Sequence, residues 1–173
     1  MFGSIIFVLL AVISGVYFFF FSQKWKDIVY ERGLNNLEKG QFDKAAKNFE
    51  QASKGNNEAD ATYRLAVSKY NQKDYGGAID SYQKAIEKNP SNPMYYNGLG
   101  NVYRDQKDLT NAEENYRKAI ALDKTYTIAY SNLAIMFMDE GKNDDAKSIT
   151  DEGLQNNPDS LELKNIKSTL EGG

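Results

Sequence analysis

One spacing constrains this chain more than any other property: small and aromatic residues return every 34 positions. Ala78, Tyr82, Ala85 and Pro90 come back as Ala112, Tyr116, Ala119 and Lys124, and again as Ala146, Thr150, Gly153 and Pro158. Upstream, Leu65-Ala66, Leu99-Gly100 and Leu133-Ala134 keep the same shift, with Thr62, Tyr96 and Tyr130 three residues before them. A further copy lies N-terminal, in Gly33, Leu37, Gly40, Phe42, Ala45, Phe49 and Ala52. Its step to the next unit is 33, so one residue is missing near Asn56-Asn57. A fixed period of this length marks an array in which each repeat is one supersecondary unit. A single unit cannot bury its own apolar face, so neighbours must stack.

The pattern resembles the tetratricopeptide repeat family. That family places a large residue, Leu-Gly/Ala, a Tyr, an Ala, an aromatic, a second Ala and a Pro within 34 residues, and the likeness covers about 26–160. The resemblance implies an all-α, right-handed solenoid of about four helix-turn-helix units with a C-terminal capping helix. The expected division is a divergent first unit at 24–58, units at 59–92, 93–126 and 127–160, and a cap at 161–173. Ala or Gly then sits where helix backbones cross, and the rings fill the space between. Some positions depart from the pattern: Arg32 for Leu, Asn36 for Tyr, Lys69 for Tyr with Tyr70 beside it, Lys124 for Pro and Thr150 for the aromatic. Thr150 is expected to loosen the second helix of its unit. Asn92-Pro93 reads as an N-cap followed by a first-turn proline. Leu163, Ile166 and Leu170 fall on one face of the terminal helix, as a cap requires.

In this family the first helix of each unit lines a concave groove. Carried over, the resemblance implies a partner-binding groove of Tyr63, Val67 and Tyr70, then Met94, Asn97, Asn101 and Arg104, then Ile128, Ser131, Ile135 and Met138. At least a third of these are expected to be partly buried between helices. Tyr63 and Tyr70 are the expected anchors, Asn97 and Asn101 the expected partners of a ligand backbone, and Arg104 the group for an acidic side chain. Some members of the family hold a C-terminal carboxylate with a Lys/Asn/Arg clamp. The matching positions are Tyr63, Val67, Gly98, Ile128 and Asn132, or Tyr30, Leu34, Arg64, Met94 and Gly98 one unit earlier. Neither set supplies the clamp, and a free carboxylate would be poorly compensated there. An internal segment with apolar anchors fits better.

The N-terminus is a different material. All 45 charged residues lie in 24–173, and Ile5 to Phe21 is almost wholly apolar. Seventeen helical residues span about 26 Å, and uncharged flanks lengthen the run, so 1–23 reads as a single transmembrane anchor. It lacks the basic start and small-residue junction of a cleaved signal. Lys24 and Lys26, with Trp25 between them, place the repeat domain on the cytoplasmic or stromal side.

Composition removes most chemistry. There is no His and no Cys, and 21 basic against 24 acidic residues leave a net charge of −3. That excludes imidazole bases, thiol nucleophiles and thiolate or imidazole zinc sites. It also argues against a nucleic-acid partner. No nucleotide loop or calcium loop is present. The expectation is a non-enzyme with no catalytic residue, cofactor, metal or small-molecule substrate. It is expected to be a membrane-tethered interaction scaffold assisting the assembly, stability or retention of a membrane protein complex. Its partner is a protein: an apolar-anchored segment of a membrane-associated protein. The architecture looks like that of inner-membrane and thylakoid repeat proteins, some of which help assemble photosystem I. The alternatives are a permanent small subunit of a membrane complex and a receptor for a peptide signal. A homo-oligomer, with a second copy filling the groove, is a further arrangement the sequence allows.

Overall fold

The computed structural model describes residues 21–55 and 58–172. Helices account for all its regular structure, with no strand among the described residues. Residues 21–38 form α1, followed by α2 (Phe42–Ala52), α3 (Glu58–Asn71), α4 (Tyr75–Lys88) and α5 (Pro93–Asp105). Then come α6 (Leu109–Leu122), α7 (Thr127–Asp139), α8 (Asn143–Asn156) and α9 (Leu161–Gly172). Consecutive helices pack pairwise along the chain from α2 to α9. In addition α3 touches α5, α5 touches α7, and α7 touches α9, whereas no such close pairing joins α4 to α6 or α6 to α8. The odd helices therefore crowd together along one side of the stack, and that side is the inner one.

The residues that recur are those that let the helices approach. Ala45, Ala78, Ala112 and Ala146 have no exposed surface, and neither have Phe49, Tyr116 and Thr150. A β-carbon placed on Gly100 would lie 2.7 Å from the Tyr116 ring, and one on Gly33 would lie 2.8 Å from Phe49. At Gly153 the clash would be with Leu163 and Tyr130. Each glycine thus meets a large side chain that a methyl would displace. Thr150 leaves α8 intact: its hydroxyl donates to the Ala146 carbonyl at 2.7 Å, and the helix runs 14 residues, as do α4 and α6. Beyond it Leu163 and Ile166 of α9 are buried, with Leu170 packed against the same core. Asn92 caps α5, accepting from the Met94 N–H at 3.0 Å, with Pro93 in the first turn.

The four turns inside the units share one geometry. Gly40, Lys73, Lys107 and Gly141 occupy equivalent positions, and all have φ between 62 and 72°. In each turn this residue's N–H donates three residues back and the next N–H five back, as in Lys73→Tyr70 and Asp74→Lys69. That pair of bonds closes a helix with a left-handed residue. Glycine adopts this conformation freely, and a lysine does not. The two lysine turns are instead supported by Asp74 and Asp108, which accept from Gly77 N–H at 3.0 Å and Asn111 N–H at 3.2 Å. Gln41 and Lys142 cap nothing with their side chains.

No helix among the described residues is long and apolar enough to cross a membrane. The expected anchor, 1–23, lies outside the described residues except for its last three positions. Those three belong to α1, which runs without a break through the expected boundary at 23–24.

Lys73→Gly and Lys107→Gly should each raise stability, by about 1 kcal/mol, because they relieve a left-handed residue bearing a side chain. Urea unfolding followed by circular dichroism measures this as a higher midpoint at unchanged slope.

Candidate functional site

The inner face is built by the odd helices and crossed by side-chain links between consecutive units. Tyr30 of α1 donates its hydroxyl to Asp60 of α3. Tyr70 of α3 donates to Asp105 of α5 at 2.6 Å. Asn132 of α7 donates through Nδ2 to Asn97 Oδ1 of α5 at 2.9 Å. Between the first two links the Tyr63 ring stacks on Tyr95, centroids 5.1 Å apart, and leans on Tyr82 at 5.9 Å. Each unit is thus tied to the next on the same side.

The expected groove residues separate into three groups. Met94, Ile128 and Ile135 present exposed apolar side chains. Tyr63, Val67, Tyr70, Asn101, Arg104 and Met138 are half-buried. Asn97 and Ser131 are buried, at 7% and 1% exposure. The amides expected to bond a ligand backbone are already engaged. Asn97 accepts from Asn132, and Asn101 Oδ1 accepts the Tyr116 hydroxyl at 2.8 Å. Arg104, expected to take an acidic group, lies 3.3 Å from Asp105. Ser131 Oγ has no hydrogen-bond partner among the described residues. Sequence reasoning missed the carboxylates of this face. Asp60 and Asp105 occupy positions the repeat leaves free, so periodicity gives no sign of them. Their signal would have been a tyrosine at hydrogen-bonding reach on the neighbouring unit.

The electrostatics follow from these links. Burial, reinforced by the bond to Asp60, pushes the Tyr30 phenol up to about 12. Burial and the Asp105 carboxylate do the same for Tyr70. Burial also lifts Tyr82 and Tyr116 far above the usual phenol range. Burial works against the Arg64 charge, yet Asp60 and Tyr30 outweigh it and hold that guanidinium above its ordinary value. Arg64 is 3.7 Å from Asp60 and sits over the Tyr63 ring at 5.5 Å. Both inner-face arginines are therefore neutralised within the protein. What the face offers a ligand is aliphatic and aromatic surface. No group of three or more His, Cys, Asp or Glu among the described residues is placed to hold a metal ion.

Comparisons with known proteins agree with the helical repeat fold. Tetratricopeptide repeat profiles match residues 30–93 and 63–127, and another matches 103–170. The photosystem I assembly protein Ycf3 of Prochlorococcus marinus is 28% identical over 85 residues, 47% of this chain and 49% of that protein. The chain thus matches about half the length of this curated relative. PilF of Pseudomonas aeruginosa superimposes with a TM-score of 0.72 at 22% identity, covering 86% of this chain and 68% of that one. The first repeat domain of Spaghetti (RPAP3), solved with the HSP90 peptide SRMEEVD, gives a TM-score of 0.58 at 26% identity, covering 66% and 93%.

Alkaline titration tests these raised phenols. Tyr30, Tyr70, Tyr126 and Tyr130 are each held up to about 12, against an ordinary value near 10. Above pH 10 the unfolded chain releases these protons and the folded one retains them. Stability should therefore be intact below pH 10 and fall as pH rises towards 12. Tyrosinate absorbance and loss of helical circular dichroism should rise together, and Tyr70→Phe should reduce the steepness.

Proposed function

We propose that this chain, which belongs to the tetratricopeptide repeat family, is a membrane-tethered scaffold that grips an internal, partly apolar segment of a membrane-associated protein. In this reading it assists assembly or retention of a complex in that membrane. The observation that carries it is the inner face itself: Met94, Ile128 and Ile135 are exposed there, while Asn97, Asn101 and Arg104 are engaged with Asn132, Tyr116 and Asp105. Large apolar side chains exposed together on a concave face favour a protein ligand over water. The likeness to a photosystem I assembly protein supports assembly as the task. The acidic peptide held by RPAP3 is a poor model for the ligand here. Arg64 and Arg104 are paired with Asp60 and Asp105, and Asn132 is spent on Asn97. A carboxylate entering this face would find no unengaged cation among the expected clamp positions.

The tether rests on the uncharged run from Met1 to Gln23. Trp25, flanked by Lys24 and Lys26, supports a repeat domain on the cytoplasmic or stromal side. Anchoring raises the effective concentration of the groove near membrane partners.

Ile128→Glu with Ile135→Glu should leave helicity unchanged, since exposed substitutions rarely alter stability by more than about 0.5 kcal/mol. Recovery of partners from mild detergent should fall at least about ten-fold, corresponding to 1.4 kcal/mol of lost binding. Lys147→Glu, on the outer layer, serves as the control. Wild-type recovery by the double variant would remove the inner face as the binding surface.

The tether has its own test. The full chain should stay in membranes through carbonate extraction, and protease should reach the repeats from the cytoplasmic or stromal side alone. Release by carbonate would remove the anchor and leave the groove reading standing.

A further inference from the structure

The first helix carries an apolar stripe that the stack does not use. Phe21, Trp25 and Ile28 are 71, 48 and 44% exposed. At about 100° per residue they share, with Arg32, an arc of roughly 60° on α1. The packing face of α1 lies elsewhere. Val29 is buried, Gly33 abuts Phe49, and Tyr30 meets the Phe49 ring edge-on at 5.6 Å. Lys26 donates to the Lys54 carbonyl at 2.5 Å. The acidic residues of the same helix, Asp27 and Glu31, fall a quarter turn or more from the centre of the stripe. Its one charged member is basic, Arg32, with its guanidinium 6.0 Å from the Trp25 ring, and Lys24 and Glu31 flank the stripe on one side.

We propose that this stripe lies in the headgroup layer of an anionic lipid membrane, so that the N-terminal end of the stack rests on the bilayer surface. The inference depends on the reading of the uncharged N-terminal run as an anchor, with its last three residues, 21–23, placed at the interface and not in the crossing. Two observations favour lipid as the occupant. The stripe begins within the last three residues of an uncharged run of 23, so the surface that takes up that run is adjacent to Phe21. Its composition also matches an interface, with an indole for the glycerol level and cations for lipid phosphates. From Phe21 to Arg32 the helix rises about 16 Å, while the headgroup layer is about 5 to 7 Å deep. A helix leaving along the bilayer normal would carry Ile28 and Arg32 into water. A helix lying near the membrane plane keeps all four residues in the layer. The rival occupant is a second copy stacked on this open end.

Trp25 is the only tryptophan, so the native chain carries its own probe. The full chain is placed in vesicles of phosphatidylcholine and phosphatidylglycerol that contain lipids brominated either near the headgroup or near the acyl terminus. Flotation with the vesicles, a blue-shifted emission, and greater loss of emission with the shallow bromines are expected. The variant Trp25→Phe/Ile28→Trp should behave alike. A chain that floats while Trp25 emits as in water overturns the proposal and leaves the anchor standing. A blue shift that neither bromine quenches places protein against the stripe and overturns it in favour of a second copy. Quenching at position 25 but not at 28 shows an upright exit and overturns the lying arrangement. Failure to float removes the anchor and this inference together.

Discussion

The close approach of backbone to ring sets everything else in this stack. Gly33 lies against Phe49 and Gly100 against Tyr116, so near that a single methyl would not fit. The alanines at 45, 78, 112 and 146 have no exposed surface at all. Interiors packed this densely do not absorb an extra methylene without strain. Small residues at fixed intervals therefore determine how far apart the helices sit. That separation determines which side chains of consecutive odd helices can reach one another.

The inner face follows from that spacing. With α1, α3, α5 and α7 drawn close, Tyr30 finds Asp60, Tyr70 finds Asp105, and Asn132 finds Asn97. These groups satisfy one another as they leave water, which is what buried or half-buried polar atoms require. The face is consequently poor in unengaged polar atoms and comparatively rich in exposed aliphatic ones. Its chemistry as a binding surface is a residue of its chemistry as a structural seam.

Much of the fold was legible because the period marks residues chosen for packing, and packing is what sequence repeats. The helix pairs follow from it, while capping chemistry marked the Asn92-Pro93 start and a one-sided apolar face marked the buried Leu163 and Ile166. The inner face was legible only in part. Met94, Ile128 and Ile135 stand exposed in keeping with their place on first helices. Asn97 and Ser131 share that register but are buried, because the same helix face also meets the neighbouring unit. Asn101 is engaged because the buried Tyr116 hydroxyl needs an acceptor, a demand that appears only once the ring is in place. Lys73 and Lys107 hide the left-handed turns that Gly40 and Gly141 reveal. Thr150 broke the aromatic pattern without shortening α8, since its hydroxyl closes onto its own helix.

The one-sided placement of the links has a mechanical consequence. Tyr30–Asp60, Tyr70–Asp105 and Asn97–Asn132 all join odd helices, and no comparable close pairing joins α4 to α6 or α6 to α8. A strip fastened along one edge resists stretching of that edge and yields along the other. Bending of the stack in either direction is therefore taken up among the outer helices, which spread or draw together while the bonded inner edge keeps its length.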